Sequence, residues 1–239
     1  MAFDMNELKS KNDGTDPAVR PVGQQLGYEK DSKERMPWEH YLEQYQNADP
    51  LEISKRTGIP FDLESKCFTL KFLGTTYVIS HPDFQITHHN DNMGYYPLEE
   101  MIYARILTIR FLLCGAASSG TGKFKTYREM PWGEVYLRQF DGRCIKRLAF
   151  SYGNRLNDFQ AIMEHIHATP LKHGDLAYEV EIYPGYLIQM ILWEGDEEFP
   201  PSSQILFSDN FPVSFQAEDM AVMGDVLIGS LKSFLKVVK

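Results

Sequence analysis

The chain has 239 residues, of which 43% are hydrophobic and 24% charged, and its formal net charge is −9. This length suits one sizeable core. The acidic balance argues against general nucleic-acid binding and against binding to anionic membranes, because both require a basic surface. Three widely spaced cysteines exclude a disulfide framework and a cysteine-based zinc or iron–sulfur site. The lack of an apolar leader and of a long apolar run predicts a cytoplasmic protein.

The first half of the chain predicts a tail, several helices and a hairpin. Residues 1–35 contain few large apolar side chains, so we expect a flexible tail ahead of a domain at residues 36–239. The spacing of apolar and turn residues then predicts a helix at 38–45, a short helix from Asp49-Pro50 to Gly58, a hairpin at 66–80, a polar loop at 87–96 and an amphipathic helix from Pro97 to Leu113.

The second half predicts further helices and the strongest β signal. The predicted elements are a strand at 132–140, a helix from Arg143 to Tyr152 stopped by Gly153, a helix at 156–166, a hairpin at 176–193 turned by Pro184-Gly185, and a closing helix at 218–238. Leu187 to Trp193 is almost entirely apolar, which indicates a central strand. We therefore expect a single α+β domain, with a mostly antiparallel sheet packed against several helices.

The segment from Ala117 to Phe124 resembles a phosphate-binding loop but lacks two of its required residues. The first glycine is replaced by Ala117, and the hydroxyl that would hold magnesium is replaced by Phe124. The segment also follows a predicted helix instead of a strand. A flexible Gly/Ser connector is the favoured interpretation.

An acidic segment follows the predicted central strand, between Trp193 and Phe199. Its carboxylates include Asp196, Glu197 and Glu198. Crowded carboxylates repel one another, so they either stay solvated or bind a hard divalent cation, with Asp209 or Asp219 completing the ligand set. The alternative is a solvated turn that caps the next helix.

Two adjacent histidines, His88 and His89, lie in the predicted polar loop with Met93 nearby. Such residues can bind a transition metal or a haem iron, and the alternative is an ordinary exposed loop. Nucleophilic catalysis has little support, because no G-x-S-x-G motif is present and the cysteines fall on predicted core elements. The aromatic residues Trp132, Tyr183, Trp193 and Phe199 join the two histidines as predicted ligand-binding residues.

From about Asp49 onward the chain resembles the bacterial and archaeal family DUF3786, which is functionally uncharacterised. The matching stretches are Arg56-Thr57-Gly58, Phe61-Asp62, residues 72–78, Gly122-Lys123-Phe124, Pro131-Trp132-Gly133, Gly174-Asp175, Tyr183-Pro184, residues 193–200 and, loosely, residues 205–209. Some relatives carry a cysteine-rich iron–sulfur segment ahead of the domain, and this chain has no cysteine cluster there. The resemblance implies a redox or corrinoid-linked setting and supplies no catalytic residue.

Three functions are consistent with the sequence. The first is a non-catalytic module that binds a small ligand or cofactor, with haem or a corrinoid as the specific form, or that docks onto an enzyme. The second is a metal-assisted hydrolase in which the carboxylates at 194–198 hold a divalent ion. The third is a structural or adaptor protein. The expected partner is a small molecule or a protein, and the oligomeric state is left open.

Overall fold

The computed structural model describes residues 31–89 and 92–239. The fold is α+β with antiparallel sheets, which confirms the predicted class, and the strands form two sheets where one was expected. Residues 41–239 make one compact unit. Of the predicted tail, residues 1–30 lie outside the described residues.

The helices and strands are assigned as follows. The helices are α1 (Met36–Asn47), α2 (Pro50–Thr57), α3 (Pro97–Glu100), α4 (Ile102–Cys114), α5 (Gly133–Phe140), α6 (Arg147–Tyr152), α7 (Leu156–His165) and α8 (Ala217–Val238). Single π-helical segments span Asp31–Arg35 and Asp141–Lys146, and 3₁₀ turns span Tyr127–Glu129 and Phe211–Val213. The strands are β1 (Phe61–Asp62), β2 (Cys67–Phe72), β3 (Thr75–Ser80), β4 (Ile86–His88), β5 (Phe124–Thr126), β6 (Thr169–Leu171), β7 (Leu176–Tyr183), β8 (Tyr186–Trp193) and β9 (Ser202–Ser208).

The first sheet has the strand order β1-β2-β3-β4 and contains the predicted hairpin. Strand β2 pairs with β3 through a two-residue turn, in which Gly74 adopts a φ of 83°. A Cβ at Gly74 would lie 2.6 Å from the carbonyl oxygen of Ile166, so glycine is needed there for space as well as for backbone conformation. Strand β4 was not predicted, because two of its three residues, Thr87 and His88, fell within the expected polar loop.

The second sheet has the order β5-β9-β8-β7-β6, so β8 is the central strand, as predicted. The hairpin β7–β8 turns at Pro184-Gly185, where Gly185 has a φ of 80°. Strand β9 runs antiparallel to β8, with Trp193 opposite Ser202 and Ile188 opposite Phe207. Each end of this strand pair therefore carries a different set of loops.

An aromatic core joins the two sheets and the central helix α4. Tyr183 is fully buried, and its ring stacks on Phe111 of α4 and on Phe215. Phe72 of β2 packs edge-on against the same tyrosine, with ring centroids 5.3 Å apart. Helix α4 was expected to have one apolar face, but Ile106 through Ile109 are all buried, so it is covered on most sides. The predicted continuous helix is also interrupted at Met101, whose backbone is extended.

The predicted strand at 132–140 is wrong, because these residues form helix α5. The buried positions are Gly133, Phe140 and Cys144. The first two are seven residues apart, about two helical turns, and the last two are four apart, about one turn, which fits a helix packed on one side. The helix continues through the π-helical segment into α6 and ends at Gly153. Gly153 ends the helix as predicted, and its backbone is in the right-handed region. Glycine is needed at this position because there is no space for a side chain: a Cβ on residue 153 would lie 2.2 Å from the Cβ of Pro201.

The Gly/Ser segment after α4 is hydrogen-bonded into the fold and is not a loose connector. The side-chain amide of Asn210 donates to the carbonyl oxygens of Ser118, at 3.1 Å, and Gly185, at 2.9 Å. The backbone N–H of Thr121 donates to Asp209. This segment leads into an edge strand, so it lacks the strand–loop–helix context of a phosphate-binding loop.

The closing helix and the first short helix follow their predicted signals. Helix α8 spans almost the predicted range, and Met220, Met223, Leu227 and Leu231 are buried along it. Helix α2 is capped at its N-terminus by Asp49, whose carboxylate accepts a hydrogen bond from the backbone N–H of Leu51. In the part of the chain that the structure describes, no helix combines the length and apolar character needed to cross a membrane.

Candidate functional site

The acidic loop, residues 194–198, follows directly on β8 and forms the first part of the connection to β9, and Asp196 closes it. The Asp196 carboxylate accepts hydrogen bonds from the backbone N–H groups of Phe199, at 2.7 Å, and Glu198, at 2.8 Å. These bonds, that from Phe199 first, hold the pKa of Asp196 below its ordinary value. The carboxylate therefore stabilises the loop's own backbone, as in an Asx turn.

Neighbouring segments hold the acidic loop at its base. The backbone N–H of Glu194 donates to the carboxylate of Asp175, at 2.8 Å, and that of Gly195 donates to the side chain of Asn154, at 3.2 Å. The side chain of Phe199, which follows the loop, is 67% exposed. The loop thus has a fixed base and presents an aromatic ring and carboxylates to solvent.

Asp209, which was predicted to complete a metal site with the acidic loop, lies at the other end of β9. A seven-residue strand spans about 20 Å, so Asp209 and Asp196 are far apart. The Asp209 carboxylate accepts hydrogen bonds from the hydroxyl of Thr121, at 2.5 Å, and from its backbone N–H, and these lower its pKa. Within residues 31–89 and 92–239, no three His, Cys, Asp or Glu side chains are grouped so as to hold a metal ion.

The two predicted histidine ligands do not converge. His88 ends β4, its Nδ1 lies 2.8 Å from a carboxylate oxygen of Glu99, and its ring stacks on Tyr96 with centroids 3.5 Å apart. His89 continues the strand pairing, because its backbone N–H donates to Thr76. Successive residues of a strand point to opposite faces, so the two imidazoles face different surroundings.

The aromatic residues predicted to bind a ligand lie in three places. Tyr183 is in the core, and its hydroxyl lies 3.0 Å from that of Thr108. Burial raises the pKa of Tyr183 far above its ordinary value. Trp193 and Phe199 flank the acidic loop, whereas Trp132 precedes α5 at the far end of the α5–α6 helical run. These side chains line no common pocket.

A shallow groove of about 370 Å³ lies beside the acidic loop, and sequence reasoning did not predict it. It is lined by Asn154, Arg155, Leu156, Asn157, Asp158 and Glu194. Lys239 and Arg155 both bind the carboxylate of Asp158, and they lower its pKa. A general acid at neutral pH needs a raised pKa, so this carboxylate does not suit that role. The groove is polar and open, and its residues come from a loop and a helix start that carry no sequence motif.

The buried cysteine, Cys144, is not an activated thiol. Cys144 is buried against α8, and burial raises its pKa to about 12. Cys114 is exposed at the end of α4, and Cys67 is half-buried. A nucleophilic cysteine needs a depressed pKa, which Cys144 lacks.

The most exposed aromatic side chain lies elsewhere, at the start of α5. Trp132 is 79% exposed, and its φ of 63° is in the left-handed region that residues with a Cβ rarely adopt. Val135 and Tyr136 follow at helical spacings of three and four residues, and they are 62% and 37% exposed. We give the name Trp132 face to these three exposed side chains together with the exposed arginines nearest to them in the sequence, Arg128 and Arg138.

The backbone at the start of α5 fixes the position of Trp132. Gly133 packs against the 3₁₀ turn before it, where a Cβ would lie 1.9 Å from the carbonyl oxygen of Tyr127. The N–H of Gly133 donates to the carbonyl of Met130, at 2.9 Å. The buried ring of Tyr127 in turn stacks on Phe140, at 4.1 Å. The motif Pro131-Trp132-Gly133 thus builds a tight corner with an indole on its outside.

The segment that carries the Trp132 face is basic in an acidic protein. Residues 123–147 contain seven Lys and Arg and three Asp and Glu, a formal charge of +4, which leaves −13 for the rest of the chain. Arg128 pairs with Glu134, at 3.1 Å. Arg138 is exposed and has no ion pair among the described residues. Arg143 and Arg147 of this segment bind Asp225 of α8, so the charge that favours an acidic partner at this surface is that of Arg138.

The motif residues form structural contacts at the two ends of the β8–β9 pair. At one end, Asp175 holds the backbone of Glu194. At the other end, the backbone N–H of Asp209 donates to Lys123, and Asn210 binds Gly185. Many of the residues that carry the family resemblance therefore hold loops in place. The exposed indole of Trp132 makes no such contact, so loop stability does not explain it.

Comparison with curated proteins and with solved structures found no match. A family model described as Domain of unknown function (DUF3786) matches residues 49–230. Because that span covers well over half of the 239 residues, the chain belongs to the DUF3786 family.

Proposed function

We propose that this chain is a non-catalytic binding module that docks onto an acidic, partly apolar protein surface through the Trp132 face. The observation that supports it most is the position of Trp132, which is almost fully exposed in a left-handed backbone conformation. A residue with a Cβ is destabilised in that conformation by about 1 to 2 kcal/mol. The indole makes no ring contact with the described aromatic residues that would offset this cost.

The composition of the Trp132 face matches that of protein-binding surfaces. Tryptophan, tyrosine and arginine are the residues that most often dominate the binding energy of protein interfaces. Here Trp132, Tyr136 and Arg138 lie within two helical turns, with Val135 between them. A strained residue persists only where the surrounding structure holds it, as the corner at Gly133 does here, and such residues cluster at functional sites, which supports a binding role for Trp132.

The alternatives gain less support from the geometry. A metal-assisted hydrolase would need the carboxylates of the acidic loop to converge, whereas Asp196 is committed to backbone N–H groups and Asp209 lies at the other end of β9. A haem or corrinoid module would need a cavity beside His88 or His89, whereas His88 is stacked on Tyr96. The docking function, in contrast, requires only exposed side chains, which the Trp132 face provides.

The first test places a photo-crosslinking amino acid at position 132 of the full chain, in the cells that naturally make it. We expect one defined protein adduct, and we expect its yield to fall at least tenfold when Arg138→Glu is added, because the partner surface is acidic. The matched control places the same crosslinker at Leu63, which is 68% exposed on a different part of the fold. The same adducts from both positions, or none from position 132, would refute the proposal.

A second test separates function from stability at Trp132. Trp132→Gly should leave the free energy of unfolding unchanged or raise it by up to about 1 kcal/mol, because glycine adopts a positive φ freely. The same variant should lose the adduct when the crosslinker is moved to position 135. Chemical denaturation measures the stability. A decrease in the free energy of unfolding of more than about 1 kcal/mol would show that the indole stabilises the fold. The exposed indole would then have a structural role, and its backbone strain would no longer support a binding role.

A further inference from the structure

The chain itself carries a surface complementary to the Trp132 face. The acidic loop with its flanking residues, 193–201, contains four carboxylates and no basic residue. We propose that the acidic loop of one copy docks onto the Trp132 face of a second copy, head to tail. This inference rests on the proposed function, and it identifies the acidic, partly apolar partner as another molecule of the same chain.

The two surfaces match in charge and in apolar character. Glu197 and Glu198 are exposed and make no ion pair with another described residue, and the same holds for Arg138. Phe199 supplies an exposed ring to pack against Trp132. Carboxylate–guanidinium pairs surrounding an aromatic contact are a common arrangement at protein interfaces.

The fold prevents the two surfaces of one copy from meeting. The helical run from α5 to α6 has 20 residues, so its ends lie about 30 Å apart. Trp132 precedes its first residue, whereas the glycine after its last residue, Gly153, packs on Pro201 beside the acidic loop. The loop can therefore reach a Trp132 face only on another molecule. Such a contact joins two different surfaces, so each added copy leaves one surface of each kind open.

The expected contact is weak and sensitive to salt. Nine loop residues against five face residues bury less than the roughly 1,200 Å² that marks the lower limit of stable complexes. Screening shortens the reach of its charges from about 10 Å at 0.1 M salt to about 3 Å at 1 M. We therefore expect reversible association that increases with protein concentration and disappears at high salt.

Complementation between two variants tests the inference, with sedimentation velocity of the full chain as the readout. One variant carries Arg128→Glu and Arg138→Glu, and the other carries Glu197→Gln and Glu198→Gln, so that the two altered surfaces do not become complementary to each other. Each retains one intact surface, so each alone should be a monomer. Mixed in equal amounts, they should form a dimer that grows no further, because the only intact pair of surfaces joins one variant to the other. The wild type should form a series of species at low salt.

A charge-matched control variant separates docking at the Trp132 face from a general effect of net charge. Lys55→Glu with Lys71→Glu changes the net charge as much as the double arginine variant does, at exposed positions on α2 and β2, and it should associate like the wild type. A wild type that stays monomeric at low salt up to its solubility limit, or a mixture without dimer, overturns self-docking. A specific adduct of a different protein from position 132 would then preserve the proposed function, whereas the absence of any adduct would remove both.

Discussion

Replacing Asn210 by aspartate is expected to destabilise the fold by roughly 3 to 5 kcal/mol, the cost of an uncompensated buried charge. Asn210 is buried, donates to two carbonyl oxygens and accepts from the hydroxyl of Ser208, at 2.6 Å. A carboxylate has no N–H to donate, so both carbonyls would lose their partner and face a negative charge. In a chain of this size the melting temperature should fall by roughly 10 °C or more.

The neighbouring Asp209 supplies the matched control for this prediction. It differs by one position and accepts its hydrogen bonds at an exposed site. Asp209→Asn keeps an acceptor oxygen, so its melting temperature should shift far less than that of Asn210→Asp. Differential scanning calorimetry on both variants measures the contrast. Equal shifts would mean that the anchoring of the Gly/Ser segment by Asn210 contributes little to stability.

The second large effect is expected at Gly133, where alanine should destabilise the fold by about 3 kcal/mol. The added Cβ would lie 1.9 Å from the backbone oxygen of Tyr127, and backbone at a tight corner cannot move aside as a flexible side chain can. The shift needed to relieve the overlap would also disturb the stacking of Tyr127 on Phe140. Urea denaturation followed by circular dichroism measures the loss.

Gly142 provides the comparison, because it lies in the same helical run and a Cβ there meets no atom within 4 Å. Gly142→Ala should be neutral or stabilising by up to about 1 kcal/mol, since alanine is the better helix former. If the two alanine variants had the same midpoint of denaturation, the tight corner would not determine how Trp132 is presented.

Elements with a strong local signal were predictable from the sequence. Helix α2 has Asp49 as its cap, Pro50 at its first position and Gly58 at its end, as expected, and the structure shows that Gly58 is left-handed. The β7–β8 hairpin likewise follows from its alternating residues and its Pro184-Gly185 turn. Local chemistry determines these boundaries, so no knowledge of tertiary contacts was needed.

Helix α5 shows where the local signal is insufficient. The run from Trp132 to Phe140 was predicted to be a strand, yet Trp132, Val135 and Tyr136 face solvent on a helix, and the buried positions are Gly133 and Phe140. A glycine contributes nothing to an apolar pattern, so the buried side of the helix was not visible in the sequence. The requirement for glycine comes from Tyr127, through a close backbone approach that only the folded chain reveals.

The candidate site was predictable in its parts but not in its arrangement. The sequence singled out Trp132, Phe199 and the acidic loop, which carry the proposals made here. It also grouped Asp209 with that loop, because strand β9 between them was not recognised. Proximity in sequence was mistaken for proximity in space, and an extended strand separates residues by about 3.3 Å at each step.

The adduct yield from a crosslinker at position 132, relative to one at position 63, tests the docking surface most directly. Both positions are more than two-thirds exposed, so simple accessibility predicts equal yields. We expect a single dominant adduct from position 132, and we expect the charge reversal at Arg138 to suppress it. Equal yields from the two positions, unchanged by that reversal, would contradict it.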